Sequence, residues 1–247
     1  MQESVAADLA PTGTLRVAVW MLSYFAAENP ASHDLDGVIP DLARELARRL
    51  GVGVELVRFA NPAAIVDVFR SGAVDATFVG ITADRAAVIE FGPVVVDIQT
   101  SYLVPAGSTI ARIGDVDRDG VRIAVPQRSA QEARLKATLV KAAMIPVPPE
   151  APQQAIDLLA AGKADAFSHV VPMLLSVRSR LPGSRILPGS TFNVPVAVGC
   201  RRGLSSAAIE FCRTFVDDVV ASGFVRRAID RMGDQAAGLV PHAAARR

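Results

Sequence analysis

The sequence repeats itself. Leu15–Val19 (LRVAV) returns as Val121–Val125 (VRIAV), and Ile65–Phe78 (IVDVFRSGAVDATF) returns as Ala155–Phe167 (AIDLLAAGKADAF). Gly162 stands on Gly72 and Asp165 on Asp75. Short apolar runs recur by chance in any α/β protein. Here the whole order recurs: strand, helix, strand, helix, then Gly-x-x-Asp-Ala. Two copies of one α/β unit limit the chain to a small set of two-lobed folds.

Local patterns fill in the first copy. Leu15 to Val19 reads as a buried strand after Gly13. Trp20 to His33 is irregular, and Asp36-Gly37 reads as a turn. From Pro40 to Leu50, Leu42, Ala43, Leu46, Ala47 and Leu50 recur at helical spacing, joined by Ile39. Pro40 suits the first turn and Gly51 the stop. Val52 to Phe59 alternates like a strand, Pro62 to Ser71 reads as a helix, and Val74 to Val79 as the next strand. This βαβαβ order predicts a parallel sheet with helices on its faces. In the second copy a helix is expected near Ser129 to Ala143 and a strand near Ile145 to Val147.

Between the copies lies Thr100 to Ala106 (TSYLVPA), apolar and extended rather than a polar tether. Pro195 to Cys200 (PVAVGC) is a second candidate crossing. It leads to a helix at Ser205 to Ser222 and another near Val225 to Met232. The expectation is a first lobe of residues 13–101 and 198–240 and a second of 104–195. Hinge strands would lie near 100–106 and 194–200, with a cleft at the strand ends, where open α/β sheets bind ligands.

Composition excludes several classes of function. The chain has 247 residues, a formal charge of +1 and 5% aromatics, so neither an anionic membrane nor nucleic acid is an expected partner. No apolar run is long enough for a membrane span. Cys200 and Cys212 could form a disulfide or stay as buried thiols, and the thiols are favoured because cysteine is so often buried. No CxxC or Cys/His cluster suggests zinc, and the histidines (His33, His169, His242) are scattered. The N-terminus MQESVAADLAPTGT lacks the basic and apolar regions of a signal peptide. The tail PHAAARR reads as solvated.

With these residues in place, the chain resembles the bacterial solute-binding proteins of amino-acid-type ABC transporters, family 3. GTLRVAV at Gly13 to Val19, GVIPDLARELARRLGVGVELV at Gly37 to Val57 and SGAVDATFVGITADRAAVIEFGPVV at Ser71 to Val95 carry the likeness. DGVRIAV at Asp119 to Val125, GKADAF at Gly162 to Phe167 and the C-terminal ASGFVRRAI complete it. The resemblance implies a two-lobed periplasmic-binding fold (type II) with a discontinuous first lobe and two parallel-type sheets. It also implies ligand capture by cleft closure, delivery to a membrane permease, a periplasmic location with the signal peptide removed, and no cofactor. A monomer is expected.

The same resemblance assigns roles. Arg85 in TADR looks like the arginine that binds a ligand carboxylate; a solvated surface arginine is the alternative. Thr82 would help through its backbone N–H and its hydroxyl, or is a plain N-cap that needs no ligand. Ser129 falls where the family has a Thr or Ser at a helix N-terminus. The N–H groups of Ser129 and Ala130 would then face the same anion, and a simple cap is again the alternative.

Departures from the family pattern narrow the ligand. Val170, in SHVVPM, stands where amino-acid binders place an Asp for the ammonium, and neutral His169 beside it is no ionic substitute. An unpaired ammonium in a closed cleft costs several kcal/mol, so a standard α-amino acid is disfavoured. Gly80 stands where a side-chain hydroxyl often contacts the ligand. Trp20 and Tyr24 replace the usual acidic and aromatic pair and either stack on a planar ligand or pack against the lobe. Gln127 and Arg128 could reach a polar ligand end, though a solvated side chain is the favoured alternative for Arg128. The expected function is therefore capture of a small carboxylate without a standard ammonium. The alternatives are a ligand-sensing module of the same fold, or a dehydratase-like enzyme using His169, Glu28 or Asp97.

Overall fold

Residues 2–59 and 64–243 are described by a computed structural model of the chain. The chain divides into two compact units, Met1–Asp97 with Pro195–Arg247, and Ile98–Val194.

The first unit opens with α1 (Gln2–Leu9) and β1 (Thr14–Trp20). The irregular stretch that follows contains a two-residue hairpin, β2 (Ala27–Glu28) with β3 (Leu35–Asp36). Then comes α2 (Val38–Leu50), whose buried residues include Ile39, Leu42, Ala43, Leu46, Ala47 and Leu50, the stripe its spacing predicts. Gly37 caps its start at φ 141°, where a Cβ would run into the Phe25 carbonyl oxygen. Gly51 closes it in the left-handed conformation. β4 (Gly53–Phe59), α3 (Ala64–Arg70), β5 (Ala76–Gly80) and α4 (Ala83–Ala86) follow. The start expected for α3 at Pro62 lies outside the described residues.

β4, β1 and β5 are neighbours, and β1 runs parallel to both. β6 (Ile89–Val104) is one 16-residue strand that leaves the first unit after Asp97. Gly92-Pro93 does not interrupt it. At Gly92 the strand presses against Val198, and a Cβ would collide with that side chain.

The second unit continues with β7 (Arg122–Pro126), α5 (Ala130–Thr138), β8 (Ala143–Val147), α6 (Pro152–Ala160), β9 (Ala166–Val170), α7 (Val171–Arg178) and a short β10 (Arg185–Ile186). β7 is parallel to β8 and β9. β6 runs antiparallel to β9 and β10. One side of this sheet packs Phe167, Leu103 and Ala124 against α6 and α7 through Ile156, Leu159, Leu174 and Val177. The other packs Ile123, Val125 and Tyr102 with Leu135 of α5.

α5 is shorter than its sequence predicts, ending at Thr138 rather than Ala143. The Asp117 carboxylate accepts N–H bonds from Val140, Lys141 and Ala142 at 2.8–3.2 Å and pulls that segment off the helix.

β11 (Asn193–Arg201) returns to the first unit, antiparallel to β5. α8 (Ser206–Ala221), α9 (Phe224–Met232) and β12 (Leu239–Pro241), which pairs with β6, complete the chain. The strand pairing is thus mixed rather than all parallel, because β6 and β11 enter antiparallel to their β9 and β5 neighbours. The start of the tail is held rather than solvated. Pro241 lies in β12, and His242 donates its amide to Val95 O at 3.1 Å and pairs its ring with Asp97 at 2.8 Å.

Candidate functional site

In the first unit, β1 and β5 pair in parallel with Val17 opposite Ala76 and Ala18 opposite Thr77. They therefore end at one edge of the sheet, β1 on Trp20 and β5 on Gly80. Just beyond, Thr82 adopts an extended conformation and its Oγ1 accepts the Arg85 N–H at 3.4 Å, starting α4. That turn swings Arg85 back over the strand end, where Nη1 donates to the Gly80 carbonyl at 2.8 Å. Gly80 thus serves through its backbone, as an anchor for the guanidinium.

Arg85 is partly buried, and burial lowers its pKa. Among the described residues no carboxylate lies within salt-bridge distance of it. This separates Arg85 from Arg16, Arg49, Arg58, Arg122, Arg201 and Arg231, each of which has an acid partner. A desolvated guanidinium with its fork unfilled is suited to a carboxylate.

The two aromatic candidates part company. Trp20 sits half-buried at the end of β1, its ring 6.5 Å from Phe25. Tyr24 is 7% exposed and packs on Phe25 with ring centroids 4.8 Å apart. Burial pushes its phenol pKa well up. Packing against the lobe accounts for Tyr24; its ring is not available for stacking.

In the second unit, β7 and β9 are also parallel neighbours, with Ala124 opposite Phe167. They end together at Pro126 and Val170. After β7, Gln127 donates its amide to Val147 O at 2.9 Å, and Arg128 makes the turn at φ 53°. Both side chains are exposed. Ser129 then caps α5: its Oγ accepts the Glu132 N–H at 3.0 Å and donates to Pro126 O at 2.6 Å. The Ser129 hydroxyl is therefore engaged within the protein, while Ala130 is exposed at the helix start.

Glu132 stands at the same start of α5, and the sequence reading did not single it out. Its Oε2 accepts the Arg128 N–H at 2.6 Å, and its other oxygen pairs with Lys136 Nζ at 2.9 Å. The Lys136 hydrogen bond first, then the Arg128 amide, hold its pKa down. A carboxylate already stands in the first turn of α5, which weakens the attraction of that end for a second anion. The signal was present as Ser129-Ala-Gln-Glu132, a capping-box spacing.

Val170 is 6% exposed and forms the N-cap of α7 without a side-chain cap bond. His169 does not share its side of β9. Its ring meets Phe167, two residues back, edge-on at 5.5 Å, on the face that packs under α6 and α7. Its Nδ1 accepts the Val170 N–H at 2.8 Å, and burial pulls its pKa to about 4, so the ring is neutral at physiological pH. His169 therefore belongs to the packing of the unit and not, with Val170, to the strand-end group.

The remaining acid/base candidates are engaged elsewhere. Glu28 is exposed and bound to His33 at 2.7 Å and Arg58 at 2.5 Å. Asp97 is bound to His242. No cluster of His, Cys, Asp and Glu suited to a metal ion occurs among the described residues.

A profile of the bacterial extracellular solute-binding proteins, family 3, matches residues 23–226. No curated protein sequence matches the chain. Among solved structures, an amino acid ABC transporter substrate-binding protein from Streptococcus pneumoniae bound to L-arginine is 20% identical with a TM-score of 0.66. That match covers 93% of this chain and 98% of the other. A solute receptor for L-cysteine from Neisseria gonorrhoeae is 19% identical with a TM-score of 0.66 and 95% coverage of both chains. An ancestral amino acid-binding protein, a precursor of cyclohexadienyl dehydratase, is 21% identical with a TM-score of 0.66, covering 93% and 99%. At these identities the likeness shows the fold.

Proposed function

The chain belongs to the bacterial extracellular solute-binding proteins, family 3, and from that membership we propose that it captures a small carboxylate lacking a standard α-ammonium group, for ABC-type uptake. Arg85 carries the reading. It is a partly buried guanidinium at a strand end, anchored on one side by Gly80 O and unmatched by any acid among the described residues. Bidentate pairing with a ligand carboxylate would fill its fork. Trp20, at the neighbouring strand end, would flank the ligand, and Thr82 would shape the turn.

The second unit would contribute Gln127, the amides at the start of α5 and the apolar surface of Val170. Val170 provides no anion for an ammonium group, and Glu132 at the same end of the unit is already paired with Lys136 and hydrogen-bonded by the Arg128 amide. The proposal extends to ligand-driven closure of two lobes about strands near 100–106 and 194–200, to a membrane permease as partner, and to a monomer in the periplasm. An enzymatic role on this scaffold finds less support. The acid/base candidates Glu28, Asp97 and His169 each hold a structural partner.

Isothermal titration against a panel of organic acids, ring-containing acids, modified amino acids and standard α-amino acids tests the reading. Binding of a carboxylate without an ammonium, lost in Arg85→Ala, is the expected result. Tight binding of a standard α-amino acid, or of any ligand with equal affinity in Arg85→Ala, would overturn it.

A further inference from the structure

The sequence contains two cysteines, and the fold places them face to face. Cys200 lies on β11, opposite Ala76 of β5, and Cys212 lies on the buried side of α8 with Ala208, Phe215, Val216 and Val219. Their Sγ atoms are 3.8 Å apart, and the residues are 3% and 4% exposed. Each thiol has the other as its hydrogen-bonding partner. Either sulfur can donate in this contact; the contact pulls the Cys212 pKa down, while the same contact together with burial pushes Cys200 well up, so Cys212 is the thiol that ionises first.

A thiol–thiol hydrogen bond is weak, so this contact does little to hold α8 on the sheet. A covalent bond between the same atoms would do much more. Closing it requires the sulfurs to approach from 3.8 Å to about 2.0 Å.

We propose that Cys200 and Cys212 form an intramolecular disulfide that staples β11 to α8 when the chain matures in an oxidising compartment. The oxidant is a disulfide donor, either a thiol–disulfide oxidoreductase or oxidised glutathione. The Cys212 thiolate attacks one donor sulfur, forming a mixed disulfide and releasing one donor thiol. Cys200 then loses its proton and attacks Cys212 Sγ, releasing the second donor thiol. Two electrons pass to the donor, and the two cysteine protons end on its thiols. Because both residues are buried, exchange takes place before α8 docks or during its local opening. The bond would tie the strand that returns to the first unit to the C-terminal helices that follow it. It would close a short loop and restrict the unfolded chain.

The test uses the full chain equilibrated in a buffer of oxidised and reduced glutathione, then denatured and treated with iodoacetamide before intact-mass measurement. The expected result is a monomer without alkyl adducts, about 2 Da lighter than the dithiol, that gains two adducts after reduction. The midpoint of thermal unfolding should fall by about 6–12 °C on reduction. Two adducts without reduction would overturn the proposal, as would disulfide-linked dimers on a non-reducing gel. A disulfide whose reduction leaves the midpoint unchanged would overturn the staple. The Cys212→Ser chain controls for reductant effects, since its midpoint should not respond to reduction.

Discussion

Arg16 grips Asp75 three times: its amide and Nε reach Oδ2 at 3.0 and 2.9 Å, and Nη2 reaches Oδ1 at 2.7 Å. The Asp75 amide returns a bond to Arg16 O at 2.8 Å. The second unit repeats the arrangement. Arg122 reaches Asp165 through its amide, Nε and Nη2 at 2.8, 3.0 and 3.1 Å, and the Asp165 amide bonds Arg122 O at 2.8 Å. The Arg of LRVAV and the Asp of Gly-x-x-Asp-Ala are thus one device, used once in each copy to lock the first strand of the repeat to the one that follows the Gly-x-x-Asp turn.

The two copies differ in burial, and stability should differ with them. The Asp75 side chain is fully buried, whereas that of Asp165 is 34% exposed. Asp75→Ala removes the fully buried acceptor from an Arg16 that is only 22% exposed, and should cost about 3 kcal/mol. Asp165→Ala should cost clearly less, because water can replace the lost partner. Urea denaturation of the two variants checks the order.

Arg85 should behave in the opposite way. Its guanidinium is partly desolvated and has no acid partner among the described residues, so Arg85→Ala should leave the unfolding midpoint unchanged or raised. The same change should weaken carboxylate binding roughly 100-fold through loss of a charge-assisted bidentate contact. Thermal melts alongside titration with the best-binding acid of the panel measure both effects.

Val170→Asp should convert the ligand preference. The position is the N-cap of α7, in extended conformation, and lacks a side-chain cap. Aspartate is a favoured residue there, so the fold should tolerate it. A carboxylate in place of Val170 would meet an α-ammonium, and at least a tenfold gain for α-amino acids over the matching deamino acids is expected. Titration with such matched pairs would show an unchanged ratio if Val170 plays no part.

Acid should weaken the protein in two stages. The His169 pKa falls from 6.5 in the unfolded chain to about 4 in the folded one, through burial. Above pH 6.5 both states hold a neutral ring. As the pH falls toward 4, the unfolded chain takes up a proton that the folded chain refuses, and stability declines. Below pH 4 the loss is complete, on the order of 3 kcal/mol. Glu45, held down to about 2 chiefly by Arg48 and then Arg49, loses its contribution lower, as pH falls from 4.5 toward 2. His169→Gln, which keeps an acceptor for the Val170 amide, should flatten the midpoint-versus-pH curve between 6.5 and 4 and leave the lower stage intact.

Much of the fold was legible from local pattern. The apolar stripe of α2, the strands β1 and β7, and α8 between Ser205 and Ser222 all follow from spacing and from residues a few positions apart. The candidate site was half legible. TADR marked Arg85, and an N-cap alternative for Ser129 was already visible; the geometry now employs that hydroxyl fully within the protein. For Tyr24 the packing alternative holds, because its ring lies against Phe25. His169 turns to the Phe167 face of β9, which nothing in the neighbouring sequence specifies.

Sequence by itself determined the duplicated α/β order and carried the family resemblance, and that resemblance implied a ligand arginine at Arg85 and an aspartate replaced by Val170. The duplicated order is a matched local pattern, which hydrophobic period and residue identity suffice to read. Tertiary structure decided where distant partners meet. It set Asp117 against the amides after α5, His242 against Asp97, Cys200 against Cys212, and left Arg85 with a backbone carbonyl and no acid partner among the described residues. The physical reason is that burial and pairing depend on which surfaces come together when the elements pack. No periodicity within one stretch encodes the identity of a partner contributed by another.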